Sequence, residues 1–194
     1  MSDTTAPPSP GASSGLRGQS AGETALCTVG QTGSGLRYRG YDLEDLAAHA
    51  SFEEVAYLLL KGKLPNREEL DAYIARLKGL RGLPDALKAV LEQIPASAHP
   101  MDVMRTGCSM LGNLETEESF DEQSDQADRM LAVFPSIINY WYRFSHDGVR
   151  IDTETDDDSI GAHFLHLLHG ETPSELHAAV MNTSLILYAE HEFN

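Results

Sequence analysis

Cysteine is nearly absent from this chain: of its 194 residues only Cys27 and Cys108 carry a thiol. Two cysteines cannot build a disulfide framework or the paired spacing of a zinc finger. They read as small buried residues of a protein kept in a reducing, cytoplasmic compartment. Positive charge is also scarce, with 14 Lys and Arg against 30 Asp and Glu and a formal net charge of −16. A phosphate backbone needs a basic face, so nucleic acid is excluded as a partner. An anionic substrate would find few cations here to hold it. No apolar run reaches the ~18 residues that a membrane span requires, so no membrane partner is expected. The opening MSDTTAPPSPGASSG has an acidic start and no apolar stretch, unlike a signal peptide. Neither β-α alternation nor a fixed-period repeat occurs, which excludes a doubly wound parallel sheet and a solenoid.

What is present is mostly helix. Residues 1–20 are rich in Pro, Ser, Gly and Ala and read as a disordered tail, ahead of a folded part over 21–194. Within TALCTVGQTGSGLRYRG, the apolar runs Leu26–Val29 and Leu36–Tyr38 flank a Gly-rich turn, the pattern of a small β-hairpin. Helical spacing then takes over. Leu43, Leu46 and Ala47 share one face. Ser51 followed by Glu54 is a capping box, and that helix is stopped by Gly62 and Pro65. The next helix starts on Asn66 and carries Leu70, Tyr73, Ile74 and Leu77. A shorter one is bracketed by Pro84 and Pro95, and another opens at Pro100, where a missing N–H costs nothing. A long helix over about 121–146 holds Tyr140, Trp141, Tyr142 and Phe144, with a kink expected at Pro135. Two more helices close the chain, the last capped by Thr172 with Pro173 at its first position and Glu175 completing a box. The fold class is all-α with a short N-terminal hairpin.

Few of the chemically suggestive clusters survive inspection. His163, His166 and His169 recur every third residue, yet a straight helix cannot converge all three on one ion. The bland alternative buries Leu165, Leu167 and Leu168 and leaves the histidines to hydrogen-bond at the helix edges. No metal site is expected. Asp156–Asp158 lack the ligand alternation of an EF-hand and fit a helix N-terminus, where the macrodipole favours carboxylates. GQTGSG has neither the Lys-Ser/Thr nor the following helix of a phosphate loop. His99, Pro100 and Arg105 read as structural. The closing LYAEHEFN puts Glu190 and Glu192 in what reads as the last turn of an unfinished helix, where each carboxylate costs roughly 0.3–1 kcal/mol. On that helix His191 lies one turn beyond Tyr188 and shares a face with it and Leu187. By residue type alone, such a histidine is more often a core residue than a ligand.

Taken in order, LRYRGYDLEDLA, FEEVAYLLLKGKLP, HPMDVMRTG and AEHEFN resemble the citrate synthase family. TDDDSIGAHFLHLLHG followed by LILYAEHEFN is most similar to its 2-methylcitrate synthase branch. The resemblance runs from about residue 22 to the end. It implies the N-terminal part of a mostly helical large domain, truncated here, of a homodimeric enzyme. That enzyme would condense propionyl-CoA, or acetyl-CoA, with oxaloacetate to 2-methylcitrate, or citrate, plus coenzyme A. The coenzyme A thioester is a substrate, and no cofactor is implied. The family's His-Glu-x-Asn element falls on His191 and Asn194, which implies an oxaloacetate contact. Tyr188 is a candidate for shaping the acyl pocket. The family's catalytic His, His and Asp lie in later elements, and neither Gly-Pro-x-His-Gly nor Gly-x-Gly-His occurs in this chain. The chain alone is therefore expected to be inactive. Two alternatives stand beside this reading: a citrate synthase proper that uses acetyl-CoA, and a non-catalytic helical interaction module.

Overall fold

The structure, a computed structural model, describes residues 22–28 and 35–190. The tail over 1–20, the GQTGSG turn apart from Gly35, and His191 and Asn194 fall outside them. Three two-residue strands, β1 (Cys27–Thr28), β2 (Arg37–Tyr38) and β3 (Tyr41–Asp42), pair antiparallel in the order β1-β2-β3. The hairpin is as expected. The third strand is an addition, made by a tight turn at Arg39 and Gly40, both at positive φ. Eight α-helices follow among the described residues: α1 (Leu43–His49), α2 (Phe52–Lys61), α3 (Arg67–Gly79), α4 (Asp85–Leu91), α5 (Pro100–Leu114), α6 (Gln123–Asp147), α7 (Ile160–His169) and α8 (Glu175–Leu187).

Local sequence accounts for most helix starts. Ser51 and Glu54 form the expected capping box on α2, and Gly62 ends that helix in the left-handed conformation that glycine adopts at no steric cost. Asn66 and Glu69 form a second box on α3. Pro100 opens α5, with His99 as its cap. The last helix corrects the expectation: its cap is Ser174, whose oxygen accepts from the His177 N–H at 3.3 Å, so Pro173 precedes the helix. Thr172 and Ser174 are both good caps, and intrinsic preference could not choose between them. Asp156–Asp158 likewise lie ahead of α7 rather than in its first turn, because Ser159 is the cap. α6 runs as one helix through buried Pro135.

Two buried clusters make the core. One joins Tyr38, Leu46, Val55, Leu58, Tyr73, Leu77 and Ile186. The other joins Leu87, Leu91, Val103, Leu111, Val133, Ile137, Tyr140 and Trp141. α6 serves both, with Ala132 in the first and Val133 in the second. Gly107 lets α5 lie close against it: a Cβ at that position would come within 2.5 Å of Ile137 Cγ2. Cys27 is buried and Cys108 only partly so, and neither is joined in a disulfide among the described residues. Among the described residues, no helix is long and apolar enough to cross a membrane.

Candidate functional site

The residues of interest lie where α8 ends. That helix is tied to the start of α2 by Asn182, whose Oδ1 accepts from the Phe52 N–H at 2.7 Å while its Nδ2 donates to the Ala50 carbonyl. The helix does not continue to the end of the chain, as LYAEHEFN led us to expect. It stops at Leu187, with Tyr188 as its C-cap. The Tyr188 N–H bonds the Ser184 carbonyl at 3.1 Å, and the Ala189 N–H bonds the Ile186 carbonyl at 3.2 Å. Glu190 therefore lies beyond the last turn and does not load the macrodipole. The expected one-turn spacing between Tyr188 and His191 falls outside the described residues.

The reason for this stop lies far away in sequence. The last carbonyls of a helix have no partner within it. Here Tyr38 of β2 reaches them. Its hydroxyl donates to the Ile186 carbonyl at 3.2 Å and lies 3.4 and 3.5 Å from the carbonyls of Leu187 and Glu190. Tyr38 is fully buried, and that burial pushes its phenol pKa up, so it remains a donor.

Tyr188 is 82% exposed. Its ring forms one wall of an apolar groove of about 540 Å³ with Phe52 and Leu60 of α2 and Met130, Leu131 and Phe134 of α6. Glu190 lies at the same rim, so the groove adjoins the segment that leads to His191.

A second cluster is buried at the start of α7. Glu53, on α2, accepts from the Ile160 N–H at 2.7 Å and so supplies the carboxylate at this helix N-terminus. Burial pushes its pKa up, against the opposing effects of that bond and of Arg81. Arg81, also buried, donates to the Thr155 carbonyl at 2.9 Å, and its Nε has no hydrogen-bond partner among the described residues. His163 has Nδ1 2.9 Å from the Thr155 hydroxyl and Nε2 3.3 Å from the Ser136 hydroxyl. Because Thr155 donates to Asp157, the network assigns the His163 proton to Nδ1. Burial first, and Arg81 second, push the ring's pKa down to about 3. His166 instead faces Asp157 at 2.8 Å. Burial raises the Asp157 carboxyl, but the bonds from Thr155 and His166 outweigh it and hold the group below its usual range. His169 is exposed. Of the neighbouring leucines, Leu167 is fully buried and Leu165 and Leu168 partly so. The three histidines thus take three different environments. Among the described residues, no group of three or more His, Cys, Asp or Glu could hold a metal ion. The second cluster is a polar keystone that fastens α2, α6, α7 and the 150s segment.

A family model described as citrate synthase, C-terminal domain, matches residues 15–194. The 2-methylcitrate synthase of Shewanella oneidensis is 77% identical over 180 residues, which are 93% of this chain and 48% of that protein. The chain belongs to the citrate synthase family. The 2-methylcitrate synthase of Mycobacterium tuberculosis is 36% identical over 196 residues, covering all of this chain and 49% of the relative. Among solved structures, the citrate synthase of Pyrobaculum aerophilum aligns with a TM-score of 0.81 at 32% identity, over 92% of this chain and 47% of that one. The citrate synthase of Thermoplasma acidophilum aligns at 0.82 and 29%, over 93% and 48%; that structure is a ternary complex with carboxymethyl coenzyme A and oxaloacetate. The chain spans about half the length of the relatives it matches. This membership agrees with the helical architecture and the order of the quoted segments. Residue-type reasoning found neither Tyr38 nor Glu53, and only a view of the tertiary structure reveals them: each meets its partner more than a hundred residues along the chain.

Proposed function

We propose that this chain supplies the oxaloacetate-contacting segment, and the N-terminal part of the large domain, of a synthase in the 2-methylcitrate branch. The supporting observation is the 77% identity to a 2-methylcitrate synthase across 93% of the chain. In this reading His191 donates a hydrogen bond to an oxygen of oxaloacetate, and Asn194 lines the same pocket. A base removes a proton from the carbon next to the thioester of propionyl-CoA. That carbon bonds to the ketone carbon of oxaloacetate, and water then cleaves the thioester to release coenzyme A. The groups that move those protons are a His, His and Asp outside this sequence, so the chain alone does not turn over. Positioned acid–base groups contribute about 10²–10⁴-fold, which binding by His191 cannot replace. The complete enzyme is a cytoplasmic homodimer. Tyr188, on the groove next to this segment, shapes the acyl pocket. A second reading, acetyl-CoA as the main donor, draws on the 36% identity to a protein named citrate synthase in Mycolicibacterium smegmatis.

The test joins this chain to the half of the Shewanella oneidensis relative that it does not match, and follows thiol release with oxaloacetate. Propionyl-CoA is the preferred donor, and the 194-residue chain alone releases no thiol. Turnover by the unjoined chain would refute the division of labour, and a clear preference for acetyl-CoA would favour the second reading.

A further inference from the structure

We infer that Tyr38 is a positioning residue for the oxaloacetate contact, acting by holding the end of α8 and the residue that precedes His191. This rests on the reading of His191 given above. Three carbonyls, those of Ile186, Leu187 and Glu190, converge within 3.5 Å of one phenolic oxygen. Glu190 is bonded directly to His191. A hydroxyl shared among these carbonyls fixes both where the helix ends and the direction in which the chain leaves it.

Tyr38 is itself immobilised from several sides. It pairs with Cys27 on β1 and with Tyr41 on β3. The next residue, Arg39, donates from Nε and Nη2 to the Leu59 carbonyl at 3.2 and 2.9 Å, which pins the turn to α2. Its backbone N–H bonds the Leu26 carbonyl at 2.7 Å. The ring packs in the same apolar cluster as Leu46, Leu58 and Ile186, so removing the hydroxyl leaves the packing in place. The small sheet thus acts as a rigid post, and the carbonyls its Tyr38 hydroxyl meets lie one to five residues before His191 in sequence. Positional precision of this kind governs how well a bound ketone is held.

The experiment compares Tyr38→Phe, His191→Ala and Tyr140→Phe in the joined enzyme described above. Tyr140→Phe is the control for losing a buried tyrosine's hydroxyl elsewhere, since that group donates to Glu92 at 2.8 Å beside the other core cluster. Tyr38→Phe raises the KM for oxaloacetate roughly fivefold to tenfold, the worth of one hydrogen bond, while kcat stays within about twofold. The KM for the acyl-CoA is unchanged, and amide exchange at Tyr188 and Ala189 accelerates. Tyr140→Phe changes none of these. If Tyr38→Phe leaves the oxaloacetate KM and both amides at wild-type values while His191→Ala raises that KM, the inference is overturned. If His191→Ala itself has no effect on oxaloacetate, the functional reading falls, and the inference with it.

Discussion

His163 makes the stability of this fold fall as the solution becomes acidic. In the unfolded chain its imidazole takes a proton below about pH 6.5. In the folded chain the buried ring stays neutral down to about 3. Across the interval between those values the unfolded state binds one more proton, so stability is lost as pH falls. The loss follows the unfolded group's titration: from about pH 7.5 to about pH 5 it amounts to about 2 kcal/mol from this one residue. The assay is urea denaturation of wild type and of His163→Gln at both pH values. Glutamine can still bond Ser136 and Thr155 but carries no proton that titrates. The variant is expected to be weaker at neutral pH, because the site is fitted to a ring, and to lose about 2 kcal/mol less than wild type on acidification. Other groups, Asp157 among them, titrate in both proteins and largely cancel in that difference. Parallel pH profiles would refute the reasoning and would mean that His163 takes up a proton in the folded state.

Two further outcomes test the packing. Gly107→Ala places a methyl 2.5 Å from Ile137 Cγ2, and its overpacking cost of about 1–3 kcal/mol exceeds the gain of about 1 kcal/mol in helix propensity. Thermal melts should show a net loss, and an unchanged or raised Tm would mean that α5 and α6 separate freely. Asp128→Ala removes a buried acceptor shared by Tyr73 Oη at 3.0 Å, Arg76 Nε at 3.0 Å and Lys61 Nζ at 3.1 Å. The expected loss is about 3 kcal/mol, the low end for a broken buried pair because Lys61 and Arg76 still reach water. Denaturation showing less than about 1 kcal/mol would make the three bonds incidental.

What could be read in advance was what is decided locally. Ser51 with Glu54, Asn66 before α3 and Pro100 at the start of α5 act within one turn of themselves, and all three stand where the sequence put them. The end of α8 could not be read, because it depends on Tyr38, 148 residues earlier than the carbonyl it caps. The charge at the start of α7 misled for the same reason. Three aspartates adjoin that helix in sequence, yet the carboxylate that accepts its first N–H is Glu53, 107 residues away. The histidine triplet was legible as a single helix but not as three environments, since burial of His163 depends on Ser136 of α6 and Thr155 of the 150s segment. Of the candidate site, the order of the family's segments was in the sequence, and the groove beside Tyr188 was not.

The disposition of the cations constrains how such a site can work. Among the described residues, ten Lys and Arg side chains already face a carboxylate within 4.0 Å: Lys61, Lys63, Arg67, Arg76, Lys78, Lys88, Arg105, Arg129, Arg143 and Arg150. Arg39 is spent on the Leu59 carbonyl, and Arg81 is buried beside Glu53 and Asp157. Oxaloacetate is a dianion, and a lone imidazole at His191 cannot balance two carboxylates out of water. Drawing Arg76 or Lys61 away to meet the ligand would strand Asp128 and cost more than the contact returns. Among the described residues Arg37, exposed on β2 beside Tyr38, is left without such an engagement, and one guanidinium cannot balance both carboxylates, so on the proposed function further positive charge must come from outside the described residues. The part left to this chain is geometric: α8, tied to the start of α2 through Asn182 in its interior and held at its C-terminal end by Tyr38, fixes the course of the chain as far as Glu190, the residue before His191.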